Sequence, residues 1–66
     1  MRLIINGEPK EVADISTVAS LVAKLGLKGD RLAIELNRDI VSRSEWEHTQ
    51  LHADDQLEIV HFVGGG

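Results

Sequence analysis

Residues 2–12, RLIINGEPKEV, set the start of the fold. Residues 2–6, RLIIN, are a short apolar run rich in β-branched side chains. Asn6-Gly7 follows, the strongest short-range hairpin signal, because both residues tolerate positive φ. Residues 8–12, EPKEV, form the return strand. Pro9 has no N–H to give to a ladder, which assigns that strand to a sheet edge.

Working outward, Val18, Leu21, Val22 and Leu25 fall at i, i+3, i+4 and i+7, one stripe of an amphipathic helix. Asp14-Ile15-Ser16-Thr17 precedes it with several candidate N-caps, Ser16 and Thr17 being equally eligible. Gly26 follows the stripe at once and suits a left-handed C′ position. Leu27 then falls where a Schellman cap places its apolar contact. The spacing predicts a helix over 17–25, about 13 Å long. Residues 31–36, RLAIEL, read as a third strand with Leu32, Ile34 and Leu36 on one face. Asn37-Arg38-Asp39 is a turn and Ile40-Val41 a short fourth strand. Residues 42–53 read as loop, with a helical turn near Ser44–Glu47. Asp54-Asp55-Gln56 is another turn, and residues 57–62, LEIVHF, are the last strand. The reading divides the chain into a domain over 1–62 and a flexible glycine tail over 63–66.

The order β-β-α-β-β-β, with one helix to cover one sheet face, is the α+β arrangement called β-grasp. It implies a mixed sheet of four to five strands. The last strand lies parallel and central beside the first, which a helical crossover permits. The helix stripe then packs on Leu3, Ile5, Leu57 and Ile59. Alternation places Ile4, Val60 and Phe62 on the opposite, uncovered face. Two readings of that face stay open: a docking patch, or a surface partly covered by residues 42–53 through Trp46.

The chain has 66 residues with 7 Lys and Arg, 11 Asp and Glu, a net charge of -4 and 42% hydrophobic residues. That is one small domain with too much apolar content for a disordered chain. So little interior favours a binding, carrier or interaction module over an enzyme. The acidic balance argues against nucleic acid and anionic membranes as partners and favours a basic protein surface. No apolar run approaches the roughly 18 residues of a membrane span, and MRLIING lacks the apolar stretch of a signal peptide. The absence of cysteine removes disulfides, thiolate nucleophiles and sulfur-based zinc sites, as is typical of a cytoplasmic domain. Charge is uneven: residues 44–66 hold Glu45, Glu47, Asp54, Asp55 and Glu58 and no Lys or Arg. Asp54, Asp55 and Glu58 are candidates for steering a basic partner, or simply form a solvated acidic face.

Side-chain chemistry is sparse. His48 and His52 stand at i, i+4 near Asp54 and Asp55. A helix there would bring the two histidines together as metal ligands, but no helix is predicted and further ligands are missing, so no metal site is assigned. His61 reads as a surface histidine beside the patch. Ser42 and Ser44 have no accompanying base or oxyanion motif, and no phosphate-binding glycine motif occurs. No intrinsic active site is expected. The tail differs. Gly64, Gly65 and Gly66 carry no Cβ and can pass through a channel too narrow for side chains. The terminal carboxylate is a poor electrophile until adenylylation by ATP supplies a leaving group. The tail is therefore a substrate handle, or else a frayed end.

These pieces resemble a known family. MRLIING at the start, STVASLVAKL in the helix, AIELNRDIVSRSEW in the middle and the close DDQLEIVHFVGGG together resemble, end to end, the ThiS sulfur carriers of thiamine biosynthesis, which belong to the ubiquitin-like β-grasp group. The acidic turn, apolar strand and terminal Gly65-Gly66 are the most specific part. Gly64 is an extra glycine ahead of that pair. The resemblance implies that the Gly66 carboxylate is adenylylated by a partner like the ubiquitin-activating enzymes (ThiF-like), using ATP and Mg²⁺, and that the carrier itself binds no cofactor. Sulfur from a cysteine desulfurase persulfide would displace AMP and leave a thiocarboxylate at Gly66. A thiazole synthase (ThiG-like) would take that sulfur. Ile4, Val60 and Phe62 would dock partners. Two other readings share the tail: the small subunit of molybdopterin synthase, whose chains are usually longer, and a ubiquitin-like modifier that joins Gly66 to lysines. An RNA-binding β-grasp module would need a basic sheet face, where this chain is acidic.

Overall fold

In the computed structural model, which describes residues 1–27 and 29–62, the chain reverses at Asn6 and Gly7, with φ of 51° and 81°. Two consecutive positive φ values make the tight hairpin turn that matches strand twist. They join β1 (Arg2–Ile5) to β2 (Glu8–Glu11) in antiparallel register, with Ile4 opposite Pro9. The expected tail over 63–66, including Gly64, Gly65 and Gly66, lies outside the described residues.

The helix α1 spans Val18–Lys24. Thr17, not Ser16, is its N-cap. Thr17 Oγ1 accepts from the Ser20 N–H at 3.1 Å, and Ser20 Oγ accepts from the Thr17 N–H at 2.9 Å. This reciprocal pair satisfies two backbone donors at the open helix end. At the other end Gly26 adopts φ 70°. Its N–H reaches Ala23 O at 3.1 Å, and the Leu27 N–H reaches Val22 O at 3.1 Å, the two bonds of a Schellman cap. Leu27 packs against the core, as its position implied. Val18, Leu21 and Val22 are buried, but Leu25, the last residue of the stripe, stays 38% exposed. It is the C-cap residue and lies where the helix has run past the core.

After a 3₁₀ turn at Gly29–Arg31 come β3 (Leu32–Leu36), β4 (Asp39–Val41) and, beyond a second 3₁₀ segment, β5 (Gln56–His61). The sheet has five strands in the order β2-β1-β5-β3-β4, with β1 and β5 parallel and the other pairs antiparallel. β5 is central, and β2 with Pro9 is an edge, as the sequence implied. The last strand stops at His61, one residue before the expected end. The core is Leu3, Ile5, Val18, Leu21, Val22, Leu32, Ile34, Leu57 and their neighbours, with Ile59 partly buried against it. This is the helix-on-sheet layer that the stripe predicted.

Residues 42–53 contain the helical turn expected near Ser44–Glu47 and are more ordered than the loop expected around it. Arg43–His48 forms two turns of 3₁₀ helix. Trp46 is buried and donates from Nε1 to Val41 O at 3.0 Å, while Thr49 Oγ1 donates to Glu45 O at 2.7 Å. Trp46 joins Ala19, Val22, Ala23 and Leu27 of the α1 region in lining one groove. It completes the core on the helix side, so it does not cover the opposite sheet face.

Candidate docking face and chain exit

Residues directly opposite each other on neighbouring strands share a face of the sheet. The register therefore maps the face away from α1. Ile4 stands on β1. Glu58 and Val60 stand on β5, opposite Glu35 and Ala33 of β3, and Ile40 of β4 stands opposite Glu35. Phe62 continues the alternation just past β5. Val60 is 52% and Phe62 56% exposed, and Ile40 is 80% exposed. Ile4 is half-buried. The three residues expected on this face are all on it.

Ile40 and Glu35 extend the face and were not singled out from the sequence. β4 has only three residues, too few for alternation to declare a face. Pairing with Glu35 was the available signal, and it requires the register. The apolar patch thus runs across the sheet from Val60 and Phe62 to Ile40, with Glu35 and Glu58 side by side between them.

The three acidic residues near the end of the chain occupy different settings. Asp55 closes the 52–55 turn: its Oδ2 accepts from the His52 N–H at 2.8 Å, and its Oδ1 accepts from Asn37 Nδ2 at 3.1 Å. Its side chain is only 14% exposed. Asp54 sits at φ 69° and pairs with Arg2 Nε at 3.2 Å on the surface. Glu58 is exposed and has no ion pair or hydrogen bond through its carboxylate among the described residues. Of the three, Glu58 has the carboxylate best placed to meet an incoming cation.

No polar or charged side chain is buried among the described residues, so none of them is a desolvated acid, base or nucleophile. His52 Nδ1 lies 3.9 Å from Asp55 Oδ2, and His48 ends the second 3₁₀ segment. No cluster of three or more His, Asp or Glu forms among the described residues. Ser42 Oγ and Ser44 Oγ lie 3.3 Å apart on the surface. No helix of the described residues is long and apolar enough to cross a membrane.

The chain leaves the fold from the middle of the sheet. Asn37 Oδ1 accepts from the Gln56 N–H at 3.0 Å where β5 begins. Asn6 grips Ile59 twice, accepting from its N–H at 2.7 Å and donating to its carbonyl at 3.1 Å. The Phe62 N–H reaches Arg31 O at 2.8 Å. The strand that leads to the tail is therefore held as far as Ile59 on the β1 flank and as far as Phe62 on the β3 flank, directly beside the exposed patch.

Three comparisons bear on this geometry. The chain matches the ThiS family model over residues 3–66. It is 39% identical over 66 residues to a thiazole synthase of Magnetococcus marinus and, to the same degree, to one of Paramagnetospirillum magneticum; it spans 20% of the length of each. It is also 35% identical to the sulfur carrier protein ThiS of Bacillus subtilis, with 97% of this chain aligned to 98% of that one. The crystal structure of the thiamine biosynthesis protein ThiS from Geobacter metallireducens superposes with a TM-score of 0.85 at 30% identity, covering both chains fully.

Proposed function

The chain belongs to the ThiS family, and on that premise we propose that it is a sulfur carrier of thiamine biosynthesis whose reactive group is the carboxylate of Gly66. The observation that carries this reading is the placement of β5. The central strand runs beside an exposed apolar and acidic face, is anchored through Ile59 on one side and Phe62 on the other, and is followed in sequence by Val63-Gly64-Gly65-Gly66. A partner that binds the face of Ile4, Val60 and Phe62 receives the last residues at a fixed distance from its docking site. Four residues reach at most about 13–14 Å, and glycine adds no bulk on the way.

The chemistry belongs to the partners. A ThiF-like adenylyltransferase, with ATP and Mg²⁺, joins the Gly66 carboxylate to AMP and releases pyrophosphate. The terminal sulfur of a cysteine desulfurase persulfide attacks the activated carbonyl and AMP leaves. Thiol reduction of the resulting acyl disulfide frees the thiocarboxylate. A ThiG-like thiazole synthase accepts that sulfur. The carrier contributes placement: it docks, holds β5 and presents an unhindered carbonyl. It is a substrate in each step and catalyses none.

The reading is tested by pyrophosphate release. A ThiF-like enzyme with ATP should release one pyrophosphate per carrier molecule only when this chain is present. The product should then take up sulfur from a persulfide. Release that proceeds equally without the chain would contradict the proposal.

A further inference from the structure

Along β5, alternate residues address opposite neighbours with their backbone groups. Gln56 and Phe62 bond toward β3, through Asn37 N–H to Gln56 O at 2.7 Å and Phe62 N–H to Arg31 O at 2.8 Å. Asp55 and Leu57 bond toward β1, accepting from the Ile4 N–H at 3.0 Å and the Asn6 N–H at 2.8 Å. Ile59 comes next on that side. There β1 has already turned away, and the Asn6 side chain stands in for it with one acceptor and one donor. His61 is the following member of the series. Its pairing with Leu32 leaves its own N–H and C=O on the β1 side, where neither has a partner among the described residues. The central strand thus ends as a short bare edge.

A groove of about 290 Å³ opens against this edge on the helix side of the sheet. Ile5, Leu25, Leu27 and Ile59 form its apolar walls, with Lys10 and His61 at the rim. It accounts for the exposure of Leu25. Lys10 Nζ pairs with Glu8 at 4.0 Å on the surface, a long pair that leaves its ammonium open to a second carboxylate. The opposite face carries Glu35 and Glu58. The groove rim therefore offers an ammonium that a partner's carboxylate can share with Glu8, while the opposite face offers those two carboxylates.

We propose that this edge and groove receive one extended segment of thiazole synthase. The segment pairs its backbone with His61, lays an aliphatic side chain between Leu25 and Ile59, and turns a carboxylate toward Lys10. This mode of binding extends a sheet by strand addition, with side-chain pockets supplying selectivity. The occupant is thiazole synthase because proteins of that name carry a matching segment as 20% of a single chain, which holds the two bodies at high effective concentration. The inference rests on the sulfur-carrier reading. It adds that the acceptor grips the strand immediately before the tail and so aims the Gly66 thiocarboxylate.

At 66 residues the protein is within reach of total synthesis, so the backbone itself can be edited. Methylating the His61 nitrogen removes the bare donor and leaves the Val60 and Phe62 N–H groups on the β3 side untouched. The expected result is about tenfold weaker binding to a ThiG-like thiazole synthase, the size of one hydrogen bond. Thiocarboxylation of Gly66 by the ThiF-like partner should be unchanged. In the unmodified protein, hydrogen exchange at the His61 amide should slow when thiazole synthase is saturating, and Leu25→Asp should weaken that complex likewise. Unchanged His61 exchange in the thiazole synthase complex, or slowing by the ThiF-like partner alone, would overturn the proposal. Failure of the sulfur-carrier reading looks different: the unmodified protein would acquire no thiocarboxylate at all.

Discussion

Glu35 and Glu58 stand directly opposite each other across β3 and β5, in the middle of the exposed sheet face. Like charges in that position destabilise a sheet by about 0.2–1 kcal/mol. Nothing among the described residues neutralises them: neither carboxylate takes part in an ion pair there. The cost is relieved when a cation docks between them. Glu58→Lys should therefore stabilise the isolated domain by about 0.5 kcal/mol, which raises Tm by about 2–4 °C at this size. It should also slow association with the ThiF-like partner and flatten the dependence of that rate on ionic strength. Thermal unfolding and stopped-flow association check the two halves separately. A lower Tm with unchanged association would contradict the role assigned to the pair.

The apolar part of the face gives a second prediction. Phe62→Ala and Ile40→Ala remove side chains that are 56% and 80% exposed, so each should leave Tm within about 2 °C of the parent, as surface substitutions usually do. Each should weaken partner binding, Phe62→Ala by one to two decades, since burying a Phe contributes about 1.5–3 kcal/mol. Isothermal titration with the ThiF-like partner measures it. Loss of the fold in Phe62→Ala would place that residue in the core instead.

Asn6 carries a third. It combines φ 51° with two hydrogen bonds to Ile59. Asn6→Ala forfeits both bonds at about 0.5–1.5 kcal/mol each and forces a Cβ residue with no local bonding into the left-handed region at about 1–2 kcal/mol. Asn6→Gly forfeits only the bonds. Urea denaturation should thus rank parent, then Gly, then Ala, with about 2–5 kcal/mol between the first and last. Equal stabilities for the Gly and Ala variants would show that the backbone term is absent.

The hairpin, the helix and its Gly26-Leu27 stop were legible in the sequence, because turn dipeptides, caps and a helical stripe are local signals. So was the uncovered face, since alternation along β1 and β5 placed Ile4, Val60 and Phe62. What escaped was set by tertiary contact. The helical turn expected near Ser44–Glu47 is there, but its extension to a 3₁₀ segment over Arg43–His48 leaves no amphipathic stripe to read, and Trp46 is buried by α1, far from it in sequence. Ile40 and Glu35 join the face only through the β3–β4 and β3–β5 registers. Asp55 is expected both in a turn and as a steering charge; it is in the turn, where the His52 N–H and Asn37 engage its carboxylate. The bare edge at His61 is a property of where β1 stops relative to β5, which no local pattern announces.

Trp46 supplies a stability test of that tertiary contact. Trp46→Ala should cost about 3–5 kcal/mol, enough to unfold much of a domain whose total stability is of the order of 5 kcal/mol. Trp46→Phe keeps most of the packing and loses the bond to Val41 O, a cost near 1 kcal/mol. Circular dichroism melts would distinguish the two. A Trp46→Ala protein as stable as the parent would mean the second 3₁₀ segment is not part of the core.

The central claim is that the carboxyl carbon of Gly66 is the atom that carries sulfur, and intact-protein mass spectrometry tests it most directly. The chain, a variant lacking Gly66 and the Gly65→Ala variant are each incubated with ATP, a ThiF-like enzyme and a persulfide source. Deleting Gly66 pulls the terminus back by about 3.5 Å, where a misplacement of about 1 Å already costs about a hundredfold. Gly65→Ala keeps the length and adds a Cβ along the path. Because the core lies between Leu3 and Leu57, both variants should melt with the parent. The account predicts that the full chain exchanges one oxygen for sulfur at its terminus, that Gly65→Ala does so far more slowly, and that the truncated chain does not. A truncated chain that gains sulfur at the parent rate would contradict it.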